Sequence, residues 1–582
     1  MPRMLNIAVE GCCHGMLDNI YSQLLTRQQQ AGKKIDLLII CGDFQAVRNV
    51  TDLGCMSCPD KYKQIGGFYR YYTGERRAPV PTIFVGGNHE AGNHSRELYY
   101  GGWVAPNIYF MGNSGVIKFG GLRIGGISGI FKDFDYAKGY YERPPFRGHS
   151  RSSMHHARSY EAFKMLQIRQ PLDIVVSHDW PQYIERYGDT QGLVRKKPFF
   201  EKEVDRGDLG SPLNAMLLER LRPAWWFSAH LHVRFTAKVG AQESIFSEGW
   251  KGISPYEHGN PGGALGSSGS NNAGQPGMAA GAADVGNEDE IVMSSLSDEE
   301  SDSMEPAAGA ASRAHAESEL EIKRPRMALN LPPPKHSAVP AQPEFADLEP
   351  AAEANKDASN DTKREELVAQ AAVDLGASDP PTSASFSEPR VTGRPTNFLA
   401  LDKCLPKRQF LEVIEIEVPD SAADGELKLE YDPEWLAILR LCNPYLPLDE
   451  SPFYPPAQAS ASEAEHQLPL FSDEMLDREL GWVFDNVFSN GRAYIPPNFV
   501  PVAPVPPQGT PDSANFGLAR NDGGNRGRGR GRGRGQRGGY GYNQRNDEPW
   551  PGKRPYFINP NPQTDDFCRM IGIEDRLTQL LR

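Results

Sequence analysis

The chain lacks several patterns that would place it in particular classes of protein. Its 582 residues include eight cysteines, which are scattered rather than spaced as a disulfide framework and so favour a reducing intracellular compartment. No apolar run approaches the roughly 20 residues that span a bilayer. The N-terminus runs into strand-like sequence without the apolar region of a signal peptide. Positive charge is also in deficit: the net charge of −13 argues against nucleic-acid coating by the whole chain, although local basic stretches can still bind it.

The first 240 residues are typical of an α/β protein. Short apolar runs, most of them followed by polar residues or glycine, predict strands at 5–9, 35–40, 82–85, 122–127, 172–176 and 225–229. Helices are predicted between them at 18–29, 156–167 and 212–221. Residues that can do chemistry follow the strand ends, as expected of an open α/β sheet.

Composition divides the chain into five regions, as expected for a length that exceeds one ordinary core. They are a catalytic domain, a linker, a C-terminal domain, a second linker and the last part of the C-terminal domain, at 1–258, 259–390, 391–498, 499–555 and 556–582. The first linker is rich in Gly, Ser, Ala, Pro and acidic residues, and the second is rich in Pro, Gly and Arg. Neither buries enough apolar surface to offset the entropy of ordering, so we predict that both are disordered.

Three tracts in these predicted linkers each allow a functional and an ordinary interpretation. The acidic serine tract at 298–302 is either a phosphorylation site or solvated linker. The Lys-Arg-Pro-Arg sequence at 323–326 is either a nuclear-import signal or a chance cluster. The Arg-Gly tract at 526–542, which ends in Tyr-Gly-Tyr, suits sequence-tolerant binding of single-stranded RNA, or else serves as a solubilising tail.

Five blocks of candidate metal ligands follow predicted strands. They contain Cys12 and His14, Asp43, Asn88, His178, and His230 with His232. Each block alone has an ordinary explanation, because strand-end histidines are often hydrogen-bonded surface residues, aspartates cap helices and cysteines pack as small hydrophobes. Seven nitrogen, oxygen and sulfur ligands are nevertheless too many for one tetrahedral zinc, and they fit a two-metal hydrolytic site with a bridging carboxylate.

The order of these blocks resembles the calcineurin-like metallophosphoesterases, whose motifs run D-x-H, G-D, G-N-H, H and H-x-H. Cys12 stands where that family has aspartate. With this substitution, the sequence is similar to the RNA lariat debranching enzyme family at 11–15, 42–49, 100–107, 177–181, 226–232, 398–406 and 558–564. The resemblance implies an α/β fold with a β-sandwich flanked by helices, and a C-terminal debranching-enzyme domain interrupted by disordered segments.

The resemblance also implies a role for each ligand. One metal would be held by Cys12, His14, Asp43 and His232, and the other by Asp43, Asn88, His178 and His230. Asp43 would bridge the two. A thiolate ligand favours Fe²⁺ or Zn²⁺ over Mg²⁺, and Mn²⁺ is expected to substitute. His89 is expected to act as general acid or charged hydrogen-bond donor towards the leaving oxygen; the alternative is that it orients Asp43.

The stretch at 128–158 resembles, in position, the loop with which this family recognises its substrate. Six Lys or Arg alternate there with aromatic residues, a composition that suits unpaired bases and a bent RNA backbone. A loop this long within a compact domain is itself a functional indication. The alternative is a surface excursion whose rings pack on the core. The predicted RNA contacts are Phe131, Lys132, Tyr140, Tyr141, Arg143 and Arg147.

The resemblance implies a metal-dependent phosphodiesterase. Its substrate would be the 2′-5′ bond at the branchpoint of excised intron lariats, attacked by hydroxide that two metals generate, and its product would be linear RNA for turnover. A nuclear location follows from that substrate, with splicing or RNA-turnover factors as further partners and no role for a membrane. Two alternatives stay open: a metallophosphatase for another phosphoester on the same fold, and a catalytically silent RNA-binding scaffold.

Overall fold

A computed structural model describes residues 3–59, 62–246, 394–418, 427–456, 470–507, 509–511 and 558–579. All of them belong to one compact unit formed by Met1–Asn260 and Asp357–Arg582. The predicted linker at 259–390, with its acidic and basic tracts, and the Arg-Gly tract lie outside the described residues. Those interpretations stay predictions. For the first residues of the second linker, the prediction of disorder is wrong: the backbone N–H groups of Val502 and Ala503 donate to the hydroxyl of Tyr72 at 2.6 and 2.8 Å, so this stretch packs on the catalytic region.

Strands in the described part of the chain form two sheets. In chain order they are β1 (Arg3–Glu10), β2 (Leu37–Ile40), β3 (Thr82–Phe84), β4 (Gly102–Ala105), β5 (Ile108–Phe110), β6 (Ser114–Phe119), β7 (Leu122–Ile127), β8 (Ile174–Ser177), β9 (Trp225–Ser228), β10 (Phe235–Val239), β11 (Thr396–Ala400), β12 (Leu411–Val418) and β13 (Leu429–Tyr431). The six-stranded sheet has the order β12-β1-β2-β3-β5-β4, and the seven-stranded sheet has the order β10-β11-β9-β8-β7-β6-β13. Strands β1, β2 and β3 are parallel, as are β7, β8, β9 and β11.

Helices lie between and after these strands. They are α1 (Leu17–Ala31), α2 (Val50–Cys55), α3 (Phe68–Tyr72), α4 (Gly92–Glu97), α5 (Asp133–Tyr136), α6 (His149–Ser153), α7 (Ser159–Leu166), α8 (Thr190–Lys196), α9 (Glu201–Arg206), α10 (Pro212–Leu221), α11 (Pro433–Cys442), α12 (Asp473–Val483), α13 (Pro562–Met570) and α14 (Arg576–Gln579). Three of them, α10, α11 and α13, begin with a polar cap residue followed by proline. The cap side chain accepts a hydrogen bond from a free backbone N–H, and the proline fixes the φ angle of the first helical residue. No described helix is both long enough and apolar enough to cross a membrane.

The predicted α/β fold of sheets flanked by helices is confirmed. The C-terminal strands enter both sheets. Strand β11 lies between β9 and β10, and β12 pairs antiparallel with the whole length of β1. Strand β13 adds an edge beside β6. The two predicted domains therefore share their sheets in the described residues.

The core beneath the first sheet fixes the turn that carries Asp43. Phe44 is fully buried, and its ring stacks on that of Phe84 with the centroids 3.9 Å apart. Phe84 in turn stacks on Phe110 at 5.1 Å. Because Phe44 directly follows Asp43, this aromatic stack anchors one end of the turn at the carboxyl end of β2.

Candidate metal centre

The predicted ligands follow the carboxyl ends of parallel strands in the two sheets. Strands β1, β2 and β3 of one sheet and β8 and β9 of the other lead into Cys12 and His14, Asp43, Asn88, His178, and His230 with His232. Parallel strands place their carboxyl ends at one edge of a sheet, so these five loops meet. The structure therefore brings together all seven residues that the sequence predicts as ligands.

Four of these residues form a compact group. Cys12, His14, Asp43 and His232 each offer one ligand atom, and these atoms all lie within 4.8 Å of one another. The Nε2 atom of His14 is 3.4 Å from Nε2 of His232 and 3.7 Å from Oδ2 of Asp43. This is the set predicted for the first metal.

The second set lies on the other side of the same carboxylate. His178 Nε2 is 3.4 Å from Asp43 Oδ1 and 3.2 Å from Asn88 Oδ1. The ring of His230 lies 4.9 Å from that of His178, measured between centroids. Asp43 thus directs one oxygen towards His178 and the other towards His14, as a bridging carboxylate requires.

The chemistry of these donor atoms fits divalent cations. His178 Nδ1 is 2.8 Å from the carbonyl oxygen of Cys41, which only accepts, so Nδ1 carries the proton. The Nε2 lone pair then faces the oxygens of Asp43 and Asn88, and acceptors that face one another are stabilised when a cation lies among them. Burial, followed by the charges of Asp43 and Glu10, raises the pKa of the Cys12 thiol well above its usual range, so its thiolate also needs a nearby cation.

The protonation states of the other ligands suit metal binding. Burial raises the pKa of Asp43, but the surrounding imidazoles, led by His178, outweigh burial and hold it well below its usual range. Burial lowers the pKa of His14 to about 4 and that of His230 to about 3. At neutral pH the carboxylate is therefore ionised and both imidazoles are neutral, which are the forms that bind metals.

The backbone at this site is strained. His14, Asp43, His230 and His232 have φ angles of 46°, 44°, 62° and 48°, in the left-handed region that favours glycine. Each such residue costs about 1–3 kcal/mol and persists only where the surroundings enforce it. Here the first two ligand loops pair through their backbones, since His14 donates its N–H to the carbonyl oxygen of Asp43 at 2.6 Å. Strain concentrated at four ligands is typical of a functional site.

Glycines allow the ligand loops to approach one another. A Cβ atom on Gly87 would lie 2.2 Å from Asp43 Oδ1, and one on Gly42 would lie 2.2 Å from Nδ1 of His178. Neither position tolerates a side chain without displacing a ligand. The absence of a side chain on Gly87, after β3, therefore lets the carboxylate of Asp43 and the ring of His178 approach the backbone.

His89 holds Asp43 through its backbone and not through its ring. The backbone N–H of His89 donates to Asp43 Oδ1 at 3.0 Å. The ring is partly exposed, with Nε2 3.3 Å from Asn88 Nδ2. Its Nδ1 has no hydrogen-bond partner among the described residues. The side chain is therefore available for a role other than the orientation of Asp43.

The stretch at 128–158 lies beside the second set of ligands. The backbone N–H of Phe131 is 3.3 Å from Oδ2 of Asp179, the neighbour of His178, and Gly129 donates to the carbonyl oxygen of Gly86 at 2.8 Å. Among the predicted RNA contacts, Phe131, Lys132 and Tyr141 are partly exposed and Arg147 is exposed. These four can face a substrate.

Two of the predicted contacts have other roles in the structure. Tyr140 is only 1% exposed and its hydroxyl donates to Glu161, so it is a core residue beneath the loop. Arg143 donates to the carbonyl oxygens of Tyr140, Glu142 and Leu448, so its guanidinium braces the loop against the C-terminal region. Alternation of rings and charges in the sequence does not reveal which side chains turn inward.

Comparison with known proteins decides the family. The calcineurin-like phosphoesterase profile matches residues 5–234, and the profile of the lariat debranching enzyme C-terminal domain matches residues 393–522. A lariat debranching enzyme from Schizosaccharomyces pombe is 37% identical over 511 residues, which are 86% of this chain and 90% of that protein. This chain belongs to the lariat debranching enzyme family. The predicted resemblance is confirmed.

Other members of the family differ in how much of their length is matched. The lariat debranching enzyme of Drosophila melanogaster is 38% identical over 473 residues, which are 81% of this chain and 67% of that protein. The enzyme of Homo sapiens is 55% identical over 238 residues, which are 41% of this chain and 44% of that protein. The chain thus matches less than half of the length of such vertebrate relatives.

A C-terminal segment of this family member packs against the metal centre, which the sequence does not predict. After β11, the backbone N–H of Cys12 is 3.4 Å from the carbonyl oxygen of Asp402, and Cys404 donates to the carbonyl oxygen of Cys12 at 3.2 Å. On its other side, Leu401 donates to the carbonyl oxygen of Ser228 at 3.2 Å. The segment therefore lies between the loop of Cys12 and the strand that leads to His230.

Glu90 joins two ligand loops, a role that the sequence also does not predict. Its Oε1 accepts from the backbone N–H groups of Phe44 at 2.7 Å and Gly87 at 3.0 Å, and its Oε2 accepts from that of Gln45 at 2.7 Å. Burial raises the pKa of Glu90 to about 7. The only sequence signal was its position directly after Asn88 and His89.

We expect Glu90→Gln to loosen the metal centre. A glutamine amide offers one acceptor oxygen, so its NH₂ group would face one of the three backbone donors and leave that donor buried without an acceptor, at a cost of about 1–3 kcal/mol. Thermal unfolding and metal content, measured together, should both fall. Glu201→Gln, an exposed change on α9, is the control. Unchanged metal content in Glu90→Gln would show that the carboxylate does not hold the two loops.

Proposed function

We propose that this chain hydrolyses the 2′-5′ phosphodiester bond at the branchpoint of lariat RNA and releases linear RNA with a free 2′-hydroxyl. The observation that carries the proposal is the placement of Asp43. Its two oxygens face His14 and His178, at the centre of two ligand sets. The similarity to a debranching enzyme over 86% of the chain supports the choice of substrate.

The two ligand sets would each hold a divalent cation. One comprises Cys12, His14, Asp43 and His232, and the other comprises Asp43, Asn88, His178 and His230. Bound there, two cations supply Lewis acidity and lower the pKa of water towards neutrality. We infer Fe²⁺ and Zn²⁺ from the thiolate of Cys12, with Mn²⁺ able to substitute. His14, His230 and His232 are partly exposed, so the centre opens to solvent on their side.

His89 would act as the general acid. Asn88 presents Oδ1 towards His178, which leaves its Nδ2 group to donate to Nε2 of His89. Its Nδ1 is buried and has no partner among the described residues. In its doubly protonated form, the partly exposed ring would give a proton to the leaving 2′-oxygen and return to the neutral imidazole.

We expect His89→Gln to lower kcat by about 10²–10⁴-fold, the usual contribution of a general acid. Metal content should not change, because the backbone N–H of residue 89 still donates to Asp43. The acidic group should also disappear from the pH–rate profile. Asn88→Ala, which removes a ligand, should lower metal content as well as rate. Parallel losses of metal and rate in both variants would instead make His89 a residue that supports the ligands.

The exposed part of the 128–158 loop would recognise the RNA. Phe131 and Tyr141 offer rings for unpaired bases, and Lys132 and Arg147 offer cations for the backbone. The Arg-Gly tract would add salt-sensitive contacts. Because excised lariats arise in the nucleus, we also propose a nuclear location, with splicing or RNA-turnover factors as neighbours.

A comparison of three substrates tests the proposal. Branched RNA with a 2′-5′ linkage, linear 3′-5′ RNA of the same sequence and a phosphopeptide are incubated with the protein and each metal in turn. We expect cleavage of the branched RNA at the 2′-5′ bond and no comparable reaction with the other two. Reaction of the phosphopeptide alone would make the chain a metallophosphatase, and binding of branched RNA without cleavage would make it a scaffold.

A further inference from the structure

A group of cations surrounds Asp402 beside the first ligand set. Arg408 lies 3.6 Å from Asp402 Oδ2. Burial raises the pKa of Asp402, while the backbone N–H of Lys403, 2.7 Å from Oδ1, and the charges of Arg408, Lys197 and Lys403 act in the opposite direction. These three cations therefore lie in the neighbourhood of one carboxylate. We call Lys197, Lys403 and Arg408 the basic surface.

Lys403 connects the basic surface to the metal centre. It forms a parallel bridge with Cys12, so the two residues lie side by side on adjacent backbone segments. The side chain of Lys403 is partly exposed, as is that of Lys197, while Arg408 is exposed. The basic surface is therefore accessible and begins at the first ligand set.

A second lysine serves the other ligand set. Lys132, in the 128–158 loop, is partly exposed and directly follows Phe131, whose backbone N–H lies 3.3 Å from Oδ2 of Asp179, the neighbour of His178. The two lysines thus flank different parts of the centre: Lys132 the part with His178, and Lys403 the part with Cys12.

We propose that the basic surface of Lys197, Lys403 and Arg408 binds the phosphate backbone of a second arm of the branched RNA. The proposal rests on the debranching function proposed above. A branchpoint nucleotide joins three chains, and a site that holds its 2′-phosphate brings the phosphates of the other arms to the rim of the centre. The 128–158 loop supplies cations and rings for one arm. Cationic side chains suit contact with RNA phosphates, which positions the substrate without selecting sequence.

The test compares Lys403→Gln with the full wild-type chain on branched RNA. We expect KM to rise roughly three- to tenfold with a smaller change in kcat, as for one partly exposed charged contact. The slope of log(kcat/KM) against log salt concentration should fall by about 0.7, since one phosphate contact to a single strand is lost. Lys238→Gln is the matched control, because Lys238 is exposed and pairs with Asn397 at the end of β11 remote from the ligands.

Neutral linkages in the RNA separate contact from structural support. Branched RNAs that carry methylphosphonates in one arm at a time are compared. On the RNA whose neutral arm is the one that the basic surface holds, Lys403→Gln and the wild type should have the same KM. An equal loss on normal and neutral RNA, or a drop in metal content, would overturn the proposal and make Lys403 a residue that supports Cys12. If the wild type cleaves branched RNA and Lys403→Gln matches it, only this inference fails. If the wild type does not cleave it, the debranching function fails as well.

Discussion

Asp43→Asn is expected to abolish activity on branched RNA. The change keeps the shape of the side chain but removes the negative charge that faces His14 and His178 at 3.7 and 3.4 Å. An amide cannot bridge two cations, because one of its two ends is a donor. Loss of several kcal/mol of transition-state stabilisation corresponds to a fall in kcat/KM of roughly 10³-fold or more.

Metal content should fall together with this activity. The measurement is metal per chain by elemental analysis alongside kcat/KM on branched RNA. Asp205→Asn, an exposed change on α9, is the control and should retain both. If Asp43→Asn kept its metals and lost less than about tenfold in rate, Asp43 would not be a bridging ligand, and the two ligand sets would act independently or not at all.

Removal of the chain from residue 394 onwards is expected to prevent folding of the catalytic region. Strand β11 is an inner strand, paired with β9 on one side and β10 on the other. Its loss would leave both neighbours with unpaired backbone groups and would uncover the rings of Trp180 and Phe235, which pack against Phe398. Soluble yield, circular dichroism and size-exclusion chromatography would report the failure as absent or aggregated protein.

Two further variants keep this prediction testable. A chain that lacks residues 261–356 should retain its unfolding midpoint, because the composition there predicts no contribution to the core. Phe398→Ala, at a ring that is 1% exposed, should lower the free energy of unfolding by about 3–5 kcal/mol in a denaturant titration. A stable, soluble fragment that ends before residue 394 would show that the two regions fold separately.

Local sequence signals predicted the longer elements of the first 240 residues but missed strands β4, β5, β6 and β10 and the short helices α2 to α6, α8 and α9. Strand β7 at Leu122–Ile127 and helix α10 at Pro212–Leu221 have the predicted bounds. The helix is marked by Ser211 and Pro212 at its start and by Arg222-Pro223 after its end, which are signals within one turn of the boundary. Strand β1 is longer than predicted because its outer residues pair with β12, a partner that lies far along the chain.

The ligands were predictable because the order and direction of the strands determine where the loops after them lie. Once short apolar runs are read as parallel strands, residues after their carboxyl ends must meet at an edge. The left-handed backbone at His14, Asp43, His230 and His232 leaves only a weak signal in the sequence, since aspartate and histidine adopt it more often than most residues but still only in a small fraction of cases. Their strain appears only when the pairing of the loops is known.

Long-range pairing and burial were not predictable. Nothing near Leu401 or Lys403 in the sequence indicates that this segment packs beside Cys12, almost four hundred residues earlier. Tyr140 differs from Tyr141 in the structure because it reaches Glu161 in the core, while its neighbour stays partly exposed. Two adjacent tyrosines in a basic loop look alike until their partners on other elements are known.

The central claim is that two metals shared through Asp43 make this chain a debranching hydrolase. The most direct test strips the protein of metal and titrates it with Mn²⁺ while the cleavage of 2′-5′ branched RNA is followed. Activity should be absent in chelator and should rise until two equivalents per chain are bound, with linear RNA bearing a free 2′-hydroxyl as the product. Full activity with no metal or with one equivalent, or equal cleavage of linear RNA, would contradict the account.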